Sequence, residues 1–262
     1  MPVAGSAAPG RPVYGTGRGD SQRPTGPLSG PMSSAAAVGL TGVTELRVHN
    51  FSVSLDGYAA GPDQNEANPL GTGGELLHDW VFSPDATDVD RRFLALGEQG
   101  IGATIMGRNM FGPVRGDWDT AGEWRGWWSE DSPFHHDVFV LTHHARPPLT
   151  MAGGTTFHFV SDAIEAALER TRVAADGQDV RLGGGASTVQ EYLRAGPLDE
   201  LHLAVVPVLL GSGERLFEDF GTAVEGWTCV EFAPSAAVTH VRLRRGSAVF
   251  DTGSAVFDTM GA

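Results

Sequence analysis

The alternation of apolar and polar residues after position 44 predicts a β-strand. Apolar side chains recur at nearly every second position between Glu45 and Leu55, which is the period of a strand with one buried face. The pair Asp56-Gly57 that follows is a common turn signal. Residues 59–74 are rich in Gly, Pro and Asn and predict a long loop. Loops of this length in compact domains are usually functional or disordered.

Short apolar runs and amphipathic segments alternate along the rest of the chain. The apolar runs predict strands at 103–106, 138–142, 156–160, 180–182 and 201–210. The last of these is apolar almost throughout, which is typical of a strand buried on both faces. Apolar residues at helical spacing predict helices over 75–82, 85–99, 162–175 and 186–195. For the third helix, Ser161 or Asp162 is the expected N-cap.

The order of these elements predicts an α/β fold. Strands that alternate with helices build a central, mostly parallel sheet with helices on both faces. Residues 227–233 and 237–245 predict an antiparallel pair of strands at the C-terminal edge of that sheet. The folded domain is expected to span residues 44–245.

The two ends of the chain have a different character. Residues 1–43 are rich in Gly, Pro, Ser and Ala and predict a disordered tail, because they bury too little apolar surface to offset the entropy of ordering. Residues 246–262 form a C-terminal tail in which Gly246–Thr252 is repeated identically as Gly253–Thr259. A seven-residue unit is too short for a solenoid repeat.

Composition narrows the classes of function. The 262 residues carry a net charge of −14, which argues against nucleic acid or an anionic membrane as the main partner. All 18 basic residues other than His are arginines, so lysine Schiff-base chemistry and a Walker-type lysine are excluded. Cys229 is the single cysteine, which excludes an intrachain disulfide and makes a reducing cytoplasm the simplest compartment. No apolar run approaches the length of about 20 residues that spans a membrane.

Candidate ligand-binding residues directly follow four of the predicted strands. They are Asp56, Gly107-Arg108, Thr142-His143-His144 and Gly183-Gly184-Gly185. In a sheet of this kind ligands bind outside the carboxyl ends of the strands, so we expect these residues to gather along one edge. The glycine turn runs into the helix that starts at Ala186, and free N–H groups with the positive end of a helix dipole form an anion site there. A plain tight connection is the alternative.

The side chains at this edge suggest phosphate binding and acid chemistry. Arg108 can pair bidentately with a phosphate, and its alternative is an ordinary surface ion pair. The segment Thr142–Arg146 offers hydroxyl, imidazole and guanidinium groups for an adenosine 2′-phosphate, or is a polar loop start. Asp56 can polarise or protonate a bound heterocycle, or is simply part of a turn. Glu75 and Asp79, four residues apart on a predicted helix, form a second acid candidate.

Aromatic and histidine clusters have less specific interpretations. The tryptophans after residue 117 can stack on a planar ligand, although covering the core edge is the more common role of such side chains. His135-His136 and His143-His144 flank one predicted strand. Adjacent strand residues point to opposite faces, so each pair supplies one ligand per face, and no recognised metal-binding spacing is present. We therefore expect no metal site.

Five motifs in chain order resemble the dihydrofolate-reductase-like superfamily. They are Ser54-Leu55-Asp56-Gly57, Met106-Gly107-Arg108, Leu141-Thr142-His143-His144, Leu182-Gly183-Gly184-Gly185 and the segment Val206–Gly213. The likeness covers about residues 45–245 and is closest to the C-terminal reductase domain of the bifunctional riboflavin-biosynthesis deaminase-reductase. The deaminase signature H-x-E with P-C-x-x-C has no counterpart in this sequence.

The resemblance implies a dihydrofolate reductase-like sheet of eight or nine strands that binds NADPH. The implied cofactor contacts are Gly107, Arg108, Thr142, His143, His144, Arg146, Gly183, Gly184, Gly185, Ala186, Ser187 and Thr188. The triple glycine and the amides of the following helix would hold the pyrophosphate, and the nicotinamide would lie near the end of the first strand. Hydride would pass to a pterin-like or 5-amino-6-(5-phosphoribosylamino)uracil-like substrate, with Asp56, Glu75 and Asp79 as acid candidates.

Departures from the family pattern leave the substrate open. The substrate-side acid of dihydrofolate reductases has no residue-level match, and the lysine contacts of the riboflavin reductases are absent. A reductase of an unrelated small molecule and a non-catalytic ligand-binding protein are the alternatives. The expected partner is a small-molecule substrate, and a homodimer is an open option.

Overall fold

The computed structural model describes residues 44–112, 116–118, 124–128, 130–221 and 225–246. The predicted tail over residues 1–43 and the heptapeptide repeat beyond Gly246 lie outside these ranges. The strands in chain order are β1 Leu46–Ser54, β2 Tyr58–Ala60, β3 Ile101–Gly107, β4 Asp137–Leu141, β5 Leu149–Thr150, β6 Thr156–Val160, β7 Asp179–Leu182, β8 Glu200–Val206, β9 Glu214–Arg215, β10 Trp227–Pro234 and β11 Thr239–Arg245. The α-helices are α1 Asp79–Phe82, α2 Asp88–Glu98, α3 Arg108–Phe111, α4 Ile164–Ala174 and α5 Ala186–Ala195, and a 3-10 helix spans Gly74–Leu77.

Nine of the strands form one sheet in the order β10-β11-β8-β1-β7-β3-β4-β6-β5. The six strands from β8 to β6 pair in parallel, so their carboxyl ends lie along one edge. The strands β10 and β11 add an antiparallel pair at one side, and β5 runs antiparallel to β6 at the other. The predicted mostly parallel sheet with antiparallel C-terminal strands is therefore confirmed, and β5 is an addition that the sequence did not reveal.

Helices cover both faces of the sheet. Helices α4 and α5 pack on one face, where Phe51, Ile105, Leu168 and Tyr192 belong to a buried cluster that we call the first core. On the other face lie a second core around Phe111, Trp118, Val140 and Phe157 and a third core around Leu77, Trp80, Ala204 and Val206. The tryptophans at 118, 124 and 128 all pack in or against the second core.

A one-directional chain of hydrogen bonds is buried between α2 and the sheet. The backbone N–H of Asn50 donates to Nδ1 of His202 over 3.0 Å, and Nε2 of His202 lies 3.1 Å from Nδ1 of His240. Nε2 of His240 lies 2.9 Å from a carboxylate oxygen of Asp90. Because a backbone N–H can only donate, each histidine accepts at Nδ1 and donates at Nε2. Both imidazoles are therefore neutral.

Three predicted elements differ from the structure. The strand expected over 201–210 ends at Val206, because Pro207 has no N–H for the ladder and the N–H of Val208 turns back to the carbonyl of Val206. Helix α2 begins at Asp88, three residues later than predicted, since Thr87 forms a capping box with Asp90. Neither Ser161 nor Asp162 caps α4, whose N-cap is Ala163 with no side-chain hydrogen bond.

The helix predicted over 75–82 is two separate turns. The 3-10 helix ends at Leu77, and α1 starts at Asp79 after His78. Glu75 and Asp79 therefore do not share one continuous helix, and the predicted i, i+4 alignment of their carboxylates is wrong. The predicted loop over 59–74 begins inside β2, which pairs with the distant β9.

Candidate functional site

The glycine turn after β7 is locked against the end of β3. The amide of Gly183 donates to the carbonyl of Ile105 over 2.8 Å, and the amide of Gly107 donates to the carbonyl of Gly184 over 2.6 Å. Gly184 has φ of +122°, a conformation that L side chains rarely adopt. A Cβ at Gly107 would lie 2.4 Å from Oγ1 of Thr188. Two glycine motifs far apart in sequence thus form one close-packed unit.

The start of α5 is open next to this unit. Gly185 is the N-cap of α5, and no side chain caps the helix. A Cβ built at Gly185 meets no atom within 4 Å, so open space borders the first turn of Ala186, Ser187 and Thr188. Amide N–H groups of a first helical turn have no partner within the helix. The α5 terminus therefore has the geometry of an anion site.

Arg108 begins α3 and lies beside the glycine turn at the end of β3. Its guanidinium carbon lies 3.7 Å from the ring centre of Trp118, and Nη1 lies 3.5 Å from Oγ1 of Thr142 and also donates to the carbonyl of Gly116. The indole N–H of Trp118 donates to the carbonyl of His144 over 2.7 Å. Trp118 therefore joins Arg108 to the segment that follows β4.

The segment after β4 brings a second guanidinium to the same place. Oγ1 of Thr142 accepts from the amide of His144 over 3.2 Å and shapes the turn, while the side chain of His143 is exposed. The guanidinium of Arg146 lies 5.0 Å from the rings of both Trp118 and Phe159. Its Nη1 is buried and has no hydrogen-bond partner among the described residues. Burial, aided by Arg125, lowers the pKa of Arg146 from its ordinary value.

Arg146 also borders a groove at the edge of the sheet. The groove has a volume of about 450 Å³ and is lined by Phe139, Arg146, Pro148, His158, Phe159, Val160, Arg170 and Val173. Arg170 pairs with Asp162, and His158 lies 3.0 Å from Asp137, so both side chains have acidic partners. Among the described residues that line this groove, Arg146 is therefore the arginine with an unused hydrogen-bond donor.

Asp56 lies at the same edge, between the ends of β1 and β8. Its carboxylate accepts from Oγ of Ser54 over 2.6 Å and from the amides of Leu210 and Gly211 over 3.1 and 2.7 Å. The Ser54 hydroxyl lowers the pKa of Asp56 most, and with the two amides brings it to about 2. Asp56 is consequently ionised at neutral pH.

Glu75 lies on the 3-10 helix, which packs beside β1 and β2, and Asp79 lies on α1, which packs against that 3-10 helix and α2. Both side chains are exposed. No hydrogen bond joins either carboxylate to Asp56 or to the glycine turn within the described ranges. The structure therefore collects the phosphate-binding candidates into one strip, whereas the acid candidates remain separate from one another.

Sequence reasoning did not assign Trp118 to the site as the support of two arginines. The only available signal was its place in a tryptophan-rich stretch after Arg108. Within the described part of the chain, no group of three or more His, Cys, Asp or Glu side chains is placed to hold a metal ion. None of the described helices has the length and apolar character that crossing a membrane requires.

Part of this chain is similar in sequence to known proteins. A family model described as the RibD C-terminal domain matches residues 48–241, which is most of the chain. The uncharacterized protein YyaP of Bacillus subtilis strain 168 is 44% identical over 43 residues. That match spans 16% of this chain and 23% of YyaP.

Two solved structures are also similar. A Shewanella sp. PV-4 protein with a proposed place in riboflavin biosynthesis has a TM-score of 0.53 and 22% identity, and covers 78% of this chain and 100% of its own. At that identity the likeness shows the fold alone. A dihydrofolate reductase from Enterococcus faecalis, complexed with NADP(H) and RAB-propyl, has a TM-score of 0.45 and 15% identity over 78% of this chain and 97% of its own. The family match and the fold confirm the resemblance to the dihydrofolate-reductase-like superfamily.

Proposed function

The chain belongs to the RibD C-terminal domain family, and we propose that it is an NADPH-dependent reductase of a pterin-like or 5-amino-6-(5-phosphoribosylamino)uracil-like substrate. One observation carries the proposal. The open first turn of α5 lies directly beside the interlocked glycines Gly107 and Gly184, with Arg108 at the next strand end. This arrangement matches the needs of a dinucleotide that carries a pyrophosphate and a further phosphate.

The residues present fit such a cofactor. Space beside Gly185 gives a pyrophosphate access to the amides of α5. The described part of the chain offers the buried Nη1 of Arg146 no acceptor, and a phosphate oxygen would supply one. Thr142 contributes a hydroxyl, and the guanidinium of Arg108 lies over the ring of Trp118 with its Nη1 3.5 Å from that hydroxyl. A phosphate bound between these groups would distinguish NADPH from NADH.

The ionisation state of Asp56 fixes its role in this proposal. NADPH, when bound, supplies the hydride. Asp56 has no proton to donate at neutral pH because its pKa is about 2, so it acts as a fixed negative charge and hydrogen-bond acceptor. Glu75 and Asp79, whose side chains are exposed, stay in the proposal as the other two acid candidates. A cytoplasmic location and a homodimer complete the proposal.

Titration with NADPH tests the cofactor half of this function. We expect the purified protein to show quenched tryptophan fluorescence and a raised melting temperature with NADPH, and a much weaker response to NADH. The fluorescence change would come from Trp118, which contacts both arginines. A protein that ignores millimolar NADPH in both measurements would contradict the proposal.

Turnover separates the remaining alternatives. Consumption of NADPH with a pterin or with a ribosylaminopyrimidine supports the proposed substrate class. Consumption only with other small molecules from a metabolite pool supports a reductase of unrelated chemistry, as the fold alone permits. NADPH binding without turnover on any of them supports a non-catalytic ligand-binding protein.

A further inference from the structure

A strip of exposed and half-buried apolar side chains lies on one face of the antiparallel strands β10 and β11. It consists of Cys229 and Phe232 on β10 and Val241 and Leu243 on β11, and we call it the C-terminal strip. Directly opposite residues of an antiparallel pair share a face, and the ladder places Cys229 against Leu243 and Phe232 against Val241. Phe232 is 67% exposed, Cys229 is exposed, and the two β11 residues are half-buried.

The C-terminal strip continues the first core past the helices that cover that core. Val241 pairs with Leu203 of β8 and Leu243 pairs with Leu201, and both leucines are buried in the first core. Helices α4 and α5 pack over the central strands of this face. The apolar face therefore extends outward from the first core to an exposed phenylalanine. Apolar surface of this kind commonly marks an interaction site.

The opposite face of the same two strands is occupied by charged side chains. Glu231 on β10 pairs with Arg92 of α2 and with Arg242 of β11. His240 on β11 is buried and lies 2.9 Å from a carboxylate oxygen of Asp90. Helix α2 thus closes that face, and the apolar surface at this edge of the sheet lies on the side of the first core.

Trp227 places an unused hydrogen-bond donor on the face of the C-terminal strip. It pairs with Arg245, two residues after Leu243, and packs partly buried against the first core. Its indole Nε1 is buried and has no hydrogen-bond partner among the described residues. A buried donor without an acceptor is costly, so a further segment that brings a carbonyl oxygen to this point would stabilise the fold.

The chain leaves the described part of the structure beside this donor. The amide of Gly246 donates to the carbonyl of Gly226 over 3.3 Å, which holds the end of β11 next to the start of β10. Residues 247–252 read Ser-Ala-Val-Phe-Asp-Thr, with three consecutive apolar residues and neither proline nor a cation. In extended form six residues span about 20 Å, and the five residue steps from Trp227 to Phe232 along β10 span about 17 Å. This segment is therefore long enough to cover the strip.

The chain's own tail is a better occupant of the strip than a second copy of the protein. A segment tethered next to its site competes at an effective concentration of about millimolar. A second copy carries the same net charge of −14, so bringing it onto the strip must overcome mutual repulsion.

We propose that residues 247–252 fold back onto the C-terminal strip, so that the segment Ala248–Phe250 covers Cys229 and Phe232 and a main-chain carbonyl accepts from the indole of Trp227. The tail then completes the first core at its outer edge. Burial of apolar surface on both partners drives the contact. The proposal does not depend on the proposed function.

Cys229 offers a direct probe, because it is the single cysteine of the chain and lies within the strip. The rate of its reaction with the aromatic disulfide dithiobis(nitrobenzoate) is measured on the full chain. The test variant carries Val249→Asp together with Phe250→Asp. The identical repeat supplies a matched control, Val256→Asp together with Phe257→Asp, which makes the same changes seven residues later.

We expect the thiol of the test variant to react about tenfold faster than that of wild type, the factor for a contact that is closed about nine-tenths of the time. The control variant should react at the wild-type rate. An unchanged circular dichroism spectrum shows that the faster reaction does not come from unfolding. Dilution should leave the wild-type rate constant unchanged, because the covering segment belongs to the same molecule.

Three results would overturn the proposal. Equal rate constants for wild type and the test variant would show that residues 247–252 do not cover the strip. A faster reaction in the control variant alone would assign the contact to the second copy of the repeat. A wild-type thiol that becomes more reactive on dilution would show that a second molecule covers the strip.

Discussion

The amide nitrogen of Gly107 lies 2.6 Å from the carbonyl oxygen of Gly184, and this hydrogen bond joins the two glycine motifs of the chain. It connects the end of β3 to the turn after β7 and lies directly beside the start of α5. Because both partners are backbone atoms, the contact depends on close approach of two main chains rather than on a particular side chain. The strip of phosphate-binding candidates is built around this approach.

A methyl group at Gly107 should disrupt the strip. The Cβ of Gly107→Ala would lie 2.4 Å from Oγ1 of Thr188, so the Thr188 side chain, or α5 with it, must shift. Overpacking of this kind costs about 1–3 kcal/mol in the free energy of unfolding. Urea unfolding of wild type and variant measures the loss, and an unchanged midpoint would show that Thr188 moves aside freely.

Gly185→Ala should leave stability intact but weaken the binding of NADPH. Gly185 has φ of −72°, and its added Cβ meets nothing within 4 Å, so stability should be unchanged or raised by about 0.5 kcal/mol. The methyl would stand in the space through which a pyrophosphate reaches the amides of α5, and the NADPH dissociation constant should rise by about tenfold, a cost of about 1.4 kcal/mol. Melting temperature and NADPH titration together check this pair of effects. An NADPH affinity equal to that of wild type would place the pyrophosphate elsewhere.

Arg108→Ala should weaken NADPH far more than NADH. A hydrogen bond to a charged group contributes about 1.5–3 kcal/mol, which corresponds to a loss of roughly 10- to 100-fold for the phosphorylated cofactor. Parallel titrations with the two cofactors measure the difference. Arg172→Ala, which removes an α4 arginine paired with Glu169, is the matched control and should change neither. Equal losses for NADPH and NADH would mean that Arg108 does not bind the 2′-phosphate.

Stability should decline as the pH falls below about 6.5, the ordinary pKa of histidine. Burial lowers the pKa of His202 to about 2, with His49 and His240 adding to the effect, and burial also lowers the pKa of His240. The unfolded chain therefore binds protons at these two histidines that the folded chain does not bind. The free energy of unfolding consequently falls as the pH drops below about 6.5. Each neutral histidine contributes up to about 1.4 kcal/mol per pH unit.

Urea unfolding between pH 7.5 and 5 measures this slope. His202→Gln removes one titrating group and should reduce the slope by about one proton in that window. His143→Gln, which changes an exposed histidine outside this chain of hydrogen bonds, is the control. A free energy of unfolding that stays constant from pH 7.5 to 5 would show that the buried hydrogen-bonded histidines between Asn50 and Asp90 bind protons in the folded state.

The sequence predicted the strands and helices that are set by local residue spacing better than those that are set by contacts between distant residues. The strands β1, β3, β4, β6 and β7 and the helix α5 emerged from apolar periodicity, because each is long enough to show its buried face. The short strands β2 and β9 pair only with each other and are set by a contact between residues far apart, so local composition pointed to a loop. Two further differences have a local cause. The helix breaks at His78 and β8 ends early at Val206 because of local hydrogen bonding, which the spacing of apolar residues does not show.

For the candidate site, too, the sequence predicted the positions of the residues but not their contacts. The sequence by itself determined that glycines, Arg108, Thr142 and Asp56 follow strands, and parallel pairing then brings them to one edge. Only the tertiary structure decided how they meet: Gly107 against Gly184, Arg108 against Trp118, and Asp56 on the amides after β8. The physical reason is that strand period and turn chemistry are local properties of the chain, whereas close packing and hydrogen-bond partners across a sheet depend on which distant segments become neighbours.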